Sequence, residues 1–251
     1  MTRARNETPD FASLATAMVS TDSEVRLRGT IDFLRVETGC DSFLLAYKAP
    51  KTKGFNLVKQ VGYSDGVAEY LSSDIQSLPE FTKQFSDYTR ITDWVDVPEF
   101  PESYSGSKVL RPEGFTNGFM MVLHDGAGEI VGMCQANMER PEFSARSRCM
   151  VETVRPLFTK YVTRMRARAK ARLTPREQEI LALLRGGLSN TEISERLFLS
   201  PRTVSTHVER VLRKLGVANR VAAAVHATEL ELVEPKSPVV QVPPQRGLSA
   251  Y

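Results

Sequence analysis

The chain has few cysteines, one tryptophan and no long apolar run, and each shortage removes a class of protein. Three cysteines, Cys40, Cys134 and Cys149, are an odd number without close spacing. They support neither a disulfide framework nor a zinc site, and they suit a reducing compartment. The densest apolar stretches, Phe43 to Tyr47 and Val221 to Val225, are each one strand or helical turn long, far short of the roughly 18 residues of a membrane span. The polar opening from Met1 to Asp10 has no hydrophobic segment behind it, so neither a secretory signal nor an anchor is expected. The expected location is the cytoplasm, with no membrane partner. Catalytic apparatus is missing too: there is no Gly-rich phosphate loop, no paired histidines and no nucleophile elbow. The histidines His124, His207 and His226 are scattered, and residues 1–154 hold no two adjacent acids of the kind a phosphoacceptor pocket needs. Neither an enzyme nor a cofactor is expected.

What is present is ordinary in amount and uneven in placement. With 251 residues, 41% hydrophobic and 25% charged, the chain is a soluble globular type able to bury at least one substantial core. The net charge of +3 conceals a division: residues 155–220 carry fifteen Lys/Arg against five acids, whereas residues 1–154 carry sixteen against twenty-two. Such asymmetry predicts two domains with different partners, the basic one facing a polyanion.

The front part alternates in period. Val25, Leu27, Ile31, Phe33, Leu34 and Val36 fit a helix over 22–37 that Gly39 stops. Phe43 to Tyr47 and Phe55 to Val61 read as strands, and residues 64–88 as an interrupted helical pattern carrying Phe81 and Phe85. A proline-marked loop follows through Pro98, Pro101 and Pro112. Phe115 to Leu123 and Glu129 to Met138 are strand-like around a glycine-bearing hairpin loop, and Ser144 to Lys170 is a long helix with an apolar face of Met150, Val154, Leu157, Phe158, Tyr161 and Met165. The fold class expected is α+β, an α/β/α sandwich followed by an all-α module. The predicted divisions are an N-terminal extension (1–20), an α+β front domain (21–165), a basic linker at the end of the long helix (166–172), a four-helix domain (173–233) and a disordered tail (234–251).

The helical module is strongly punctuated. Thr174-Pro175-Arg176-Glu177 and Ser189-Asn190-Thr191-Glu192 are capping boxes, Ser200-Pro201 is a third start signal, and Asn219 opens an alanine-rich fourth helix. Helix, tight turn and helix over 190–215 have the dimensions of a helix-turn-helix, whose second helix enters the DNA major groove. At 100° per residue Val204, Val208, Val211, Leu212 and Leu215 share one face. Arg202, Thr206, Glu209, Arg210 and Arg213 lie opposite, with Thr203 and Ser205 on the flanks. The outward face has the hydroxyls and charges that reach phosphates and base edges, although a solvated polar face has the same pattern.

Leu173-Thr174-Pro175-Arg176-Glu177, Gly187-Leu188-Ser189-Asn190, Ser200-Pro201-Arg202-Thr203-Val204 with His207-Val208, and Lys214-Leu215-Gly216-Val217 with Asn219-Arg220 resemble the LuxR-type DNA-binding domain of bacterial transcription regulators. The resemblance implies sequence-specific binding of double-stranded DNA as a homodimer, with helix 201–215 in the major groove and Val221 and Val225 at the dimer contact. Ser205, Thr206 and Glu209 match positions that commonly face bases in the family, and Arg202, Thr203, Arg210, Arg213 and Lys214 complete the expected contact set. Many relatives carry a basic residue where Glu209 stands, which implies a different target; the alternative for Glu209 is a salt bridge to Arg213.

The order of elements in front resembles a GAF/PAS-like sensor domain, which implies a small organic effector. Tyr63, Tyr70, Asp74, Trp94 and Phe115 are the candidate ligand contacts, and each aromatic equally suits an ordinary core. Tyr70, Asp74 and Trp94 also resemble positions of the acyl-homoserine-lactone receptors, though Ile75 stands where those have proline. A further alternative is a sigma-factor-like promoter reader whose front domain docks a protein such as RNA polymerase, against which stands the lack of a second promoter-melting region.

Overall fold

In the computed structural model the described residues are 11–49, 54–74, 90–140 and 142–229; the side chains of 11–14 and of Asp74 lie outside them. The chain divides into two compact units, Met1–Lys170 and Ala171–Tyr251.

The front unit is built on a five-stranded antiparallel sheet of order β2-β1-β5-β4-β3. Its strands are β1 (Ser42–Lys48), β2 (Phe55–Val61), β3 (Thr92–Asp93), β4 (Asn117–His124) and β5 (Ile130–Met138). Alternation sends one set of side chains to each face. Phe43, Leu45, Phe119, Met121, Cys134 and Ala136 pack against α2 (Ser23–Thr38) and the long α4 (Ala145–Ala171). Leu44, Ala46, Met120, Val122 and Met133 pack against the segment from Tyr63 to Phe115.

Asp22 caps α2 by accepting from the Glu24 amide at 2.8 Å, and Gly39 ends it in the left-handed conformation. Val25 and Val36, expected on the buried face, are exposed, because Leu27, Ile31 and Leu34 already cover the sheet. Leu157 is likewise exposed: the stripe that α4 buries runs through Val151, Val154, Phe158 and Val162. The expected extension 1–20 contains a helix, α1 (Phe11–Val19), packed on α2. Gly29 allows that approach, since a Cβ there would lie 2.4 Å from Ala17 Cβ.

On the other face, the described part of the expected interrupted helical pattern is α3 (Asp65–Glu69), continued by a wide π-type turn (Tyr70–Asp74). The proline-marked loop is a series of short turns over 100–102, 105–110 and 111–113, for which Pro101 and Pro112 supply starting residues. The expected segment with Pro79, Phe81 and Phe85 lies outside the described residues. Among the described residues no helix is long and apolar enough to cross a membrane.

The second unit contains α5 (Pro175–Arg185), α6 (Asn190–Leu197), α7 (Pro201–Leu215) and α8 (Arg220–Glu229). Ile180, Leu183, Leu184, Ile193, Val204 and Val208 form its core, with Leu188, Leu197, Leu199 and Leu212 around them. The expected linker 166–172 is helical through Ala171, and Arg172 then turns the chain with a positive φ of 46°.

Candidate nucleic-acid interface

Each helix of the second unit starts where its cap dictates. Thr174 accepts from the Glu177 amide at 3.3 Å while Glu177 Oε2 accepts from the Thr174 amide at 2.7 Å. Ser189 and Glu192 repeat the exchange at 3.3 and 2.6 Å. Ser200 accepts from the Thr203 amide at 3.1 Å, and Pro201 opens α7. Gly216, left-handed at φ 69°, closes it. Asn219 Oδ1 accepts from Ala222 N at 2.9 Å to start α8. These caps satisfy amides that would otherwise lack partners at the helix ends.

The orientation of α7 against α6 follows from packing and from one hydrogen bond. Val204, Val208 and Val211 are buried, whereas Leu212 and Leu215 of the same expected face are only half-buried. Asn190 Nδ2 of α6 donates to Ser205 Oγ at 3.1 Å, and Ser205 Oγ donates to Pro201 O at 3.0 Å. Ser205 therefore joins the two helices. Arg202, Thr206, Glu209, Arg210 and Arg213 form the exposed face. Thr206 Oγ1 donates to Arg202 O at 3.1 Å, which leaves its acceptor lone pairs outward. Thr203 sits at the start, its hydroxyl 2.8 Å from Ser200 Oγ. No salt bridge joins Glu209 to Arg213 among the described residues, so that alternative for Glu209 is not realised.

Lys214 departs from expectation. Its ammonium donates to Glu177 Oε2 at 2.6 Å and to Arg172 O at 3.0 Å, so it fastens α7 to the start of α5 rather than presenting itself to a phosphate. Burial alone would raise the Glu177 carboxyl, but hydrogen bonds from Lys214 and Thr174 and the lysine charge hold it below the usual glutamate range. Glu192 is held low by the Ser189 amide and hydroxyl. The sequence offered a signal for the Lys214 contact only through the identity of Glu177 as a capping-box residue, whose Oε2 can accept a second donor beside the Thr174 amide.

On α8, Val221 and Val225 are 67% and 50% exposed and one turn apart. Phe198, which ends α6 at φ 54°, is 95% exposed.

Of the expected ligand contacts of the front unit, Tyr63, Trp94 and Phe115 lie in one buried cluster with Tyr70 packed against it, and the Asp74 side chain lies outside the described residues. Tyr63 donates to Asn137 Oδ1 at 2.6 Å and meets Phe115 edge-on, with ring centroids 5.6 Å apart. Tyr70 pairs with Ser105 Oγ at 2.7 Å and lies beside Tyr104. Trp94 packs on Phe100 at 5.1 Å. Trp94 also lines a small space of about 20 Å³, room for about one water, bounded by Thr92, Asp93, Val97, Phe100, Phe119, Met120 and Gln135 among others. Gln135 and Asn137, missed in the sequence, carry a readable signal: two polar residues in alternation within an apolar strand share a face. The two buried thiols are poorly suited to chemistry, since burial pushes Cys40 up to about 11 and raises Cys134 as well.

Helix, turn and helix, with a polar face on α7, define the second unit as a helix-turn-helix domain. Residues 171–227 match the family model described as bacterial regulatory proteins, luxR family. Over 63 residues, 25% of this chain and 29% of the other protein, the identity to the DNA-binding transcriptional activator DevR/DosR of Mycobacterium tuberculosis is 48%. Over 61 residues, 24% and 29%, the identity to the transcriptional regulatory protein LiaR of Bacillus subtilis is 49%. The match thus spans under a third of the length of these relatives. Among solved structures, SdiA of Escherichia coli superposes with a TM-score of 0.44 and 16% identity, over 88% of this chain and 96% of that one.

Proposed function

We propose that the chain is a sequence-specific DNA-binding transcription regulator, acting as a homodimer, whose front unit binds a small organic effector that alters operator affinity. The observation that carries the DNA-binding reading is the polarity of α7: its valines are buried, and Arg202, Thr206, Glu209, Arg210 and Arg213 are exposed on one face of a luxR-family domain. Arg202, Arg210 and Arg213 supply phosphate contacts, and Thr206 and Glu209 read base edges, with Glu209 suited to accept from cytosine N4. The exposed Val221 and Val225 support a dimer contact on α8. A ligand shifts operator affinity only through different affinities for two arrangements of the protein.

The test is fluorescence anisotropy on a panel of duplexes derived from the bound sequence. Thr206→Ala and Glu209→Ala are expected to change base preference at single positions by roughly 1–3 kcal/mol each. Arg202→Ala is expected to weaken binding to all duplexes alike and to flatten the salt dependence. If all three variants retained the natural profile and affinity, α7 would not be the reading element.

A further inference from the structure

The polar side chains in the middle of α7 have spent their hydrogens before any base is met. Ser205 Oγ donates to Pro201 O at 3.0 Å and accepts from Asn190 Nδ2 at 3.1 Å, so its one hydrogen is used inside the domain. Thr206 Oγ1 uses its hydrogen in the same way, on Arg202 O at 3.1 Å. Glu209 is exposed, its side chain makes no ion pair among the described residues, and a carboxylate has lone pairs only. Ser205, Thr206 and Glu209 thus offer acceptors and no free donor. Arg202 stands one turn before Thr206 and Arg213 one turn beyond Glu209, both exposed on the same face. Their charges offset the repulsion between the Glu209 carboxylate and the phosphates on either side of a groove.

The major groove holds few partners for such a face. Guanine shows N7 and O6 and thymine shows O4, all acceptors, whereas the amino groups on N4 of cytosine and N6 of adenine donate. Every base pair carries one of these amino groups, so an acceptor face selects the strand on which it lies. Adenine also shows N7, an acceptor beside its amino group, which repels a carboxylate more than a neutral hydroxyl. Glu209 therefore favours cytosine, and Thr206 takes cytosine or adenine. The two residues are about 4.5 Å apart along the helix axis, against about 3.4 Å between base pairs, which puts two neighbouring pairs within their joint reach.

We propose that α7 reads amino groups: Thr206 and Glu209 select two neighbouring base pairs whose amino group, on cytosine or adenine, lies on the strand facing the helix, and they refuse the acceptor edges of guanine and thymine there. The inference rests on the reading of α7 as the element that enters the major groove and deepens it by naming the base chemistry. Ser205, tied to both Asn190 and Pro201, is a positioning residue that holds α7 on α6.

The experiment takes the full chain and the duplex it enriches from a random library, and follows binding by fluorescence anisotropy at fixed salt. Each amino group of the enriched motif is deleted in turn, with 2-pyrimidinone in place of cytosine or purine in place of adenine. In a separate series each guanine is replaced by 7-deazaguanine, which lacks the N7 acceptor. Deleting the amino group at two neighbouring pairs is expected to weaken binding about tenfold each, and 7-deazaguanine at those same pairs is expected to leave it unchanged. One of the two sensitivities is expected to vanish in Glu209→Ala and the other in Thr206→Val, which separates a lost contact from weakened base pairing. The comparison of the two series on the natural protein stands whether or not a variant folds. Affinity that ignores every amino deletion, that falls with 7-deazaguanine at the sensitive pairs, or that keeps both sensitivities in the two folded variants overturns the inference and leaves α7 as the reading helix. A folded chain that enriches no motif overturns both.

Discussion

Lys214 and Phe198 bear in opposite directions on the stability of the helix-turn-helix unit. Glu177, its side chain 4% exposed, is both the capping partner of Thr174 and the acceptor of the Lys214 ammonium. Removing the lysine leaves a buried carboxylate with only its cap bonds. Lys214→Met is expected to lower the stability of the unit by about 1–2 kcal/mol, the range of a charged hydrogen bond discounted for partial exposure. Chemical unfolding checks it, and an unchanged midpoint would refute it. Because the folded carboxyl titrates below its ordinary value of 4.5, its contribution is complete above that pH and is lost as the pH falls through the lower folded value. The unit is therefore expected to lose stability on acidification below about 4.5, with a shallower loss in Glu177→Gln. Phe198 holds a left-handed backbone with its ring in solvent. Phe198→Gly is expected to stabilise the unit by about 0.5–1 kcal/mol, because glycine adopts that conformation without steric cost. A lower melting temperature would mean that the ring packs on something.

At the scale of elements, the contact between α4 and β3 is the clearest case of a long-range polar tie. Arg148 bonds Asp93 Oδ2 at 2.7 Å, Asp96 Oδ2 at 3.3 Å and Ile91 O at 2.8 Å, holding the two-residue edge strand against the helix. Arg148→Met is expected to cost about 2 kcal/mol, since Asp93 would keep its charge in a buried position. Thermal unfolding of the front unit measures it, and an unchanged transition would show the tie to be dispensable. None of this was legible in the sequence, where Asp93 and Arg148 are 55 residues apart and no pattern links them. The helices of the second unit were legible because Thr174, Ser189 and Ser200 each carry a local cap and Gly216 a local stop, information held within a few residues. The strands β1, β2, β4 and β5 were legible as apolar or alternating runs, whereas the two-residue β3 is too short to carry a period. Helix faces were read less well: Val25, Val36 and Leu157 are apolar and exposed, and apolar residues on a surface carry no period of their own. The candidate ligand aromatics Tyr63 and Phe115 fill core beside the Asn137 network, a contact between distant residues that no local pattern announces.

For the molecule as a whole, the division of charge does not coincide with the division of structure: six of the fifteen basic residues of 155–220, Arg155, Lys160, Arg164, Arg166, Arg168 and Lys170, lie in the front unit on α4. The other nine, against five acids, lie in the second unit. Lys and Arg contacts to phosphate release counterions, so on the proposed function affinity is expected to fall steeply with salt. Steep salt dependence alone describes any basic protein. The exposed Thr206 and Glu209 add the separate claim that base edges are read. The most direct measurement is selection by the full chain from a library of random duplexes at physiological salt, followed by sequencing of the bound fraction. The account predicts one enriched motif, with two related half-sites if the protein binds as a dimer, held at least about 10³-fold more tightly than random duplex. A folded chain that enriches no motif, or holds every duplex alike, would contradict it.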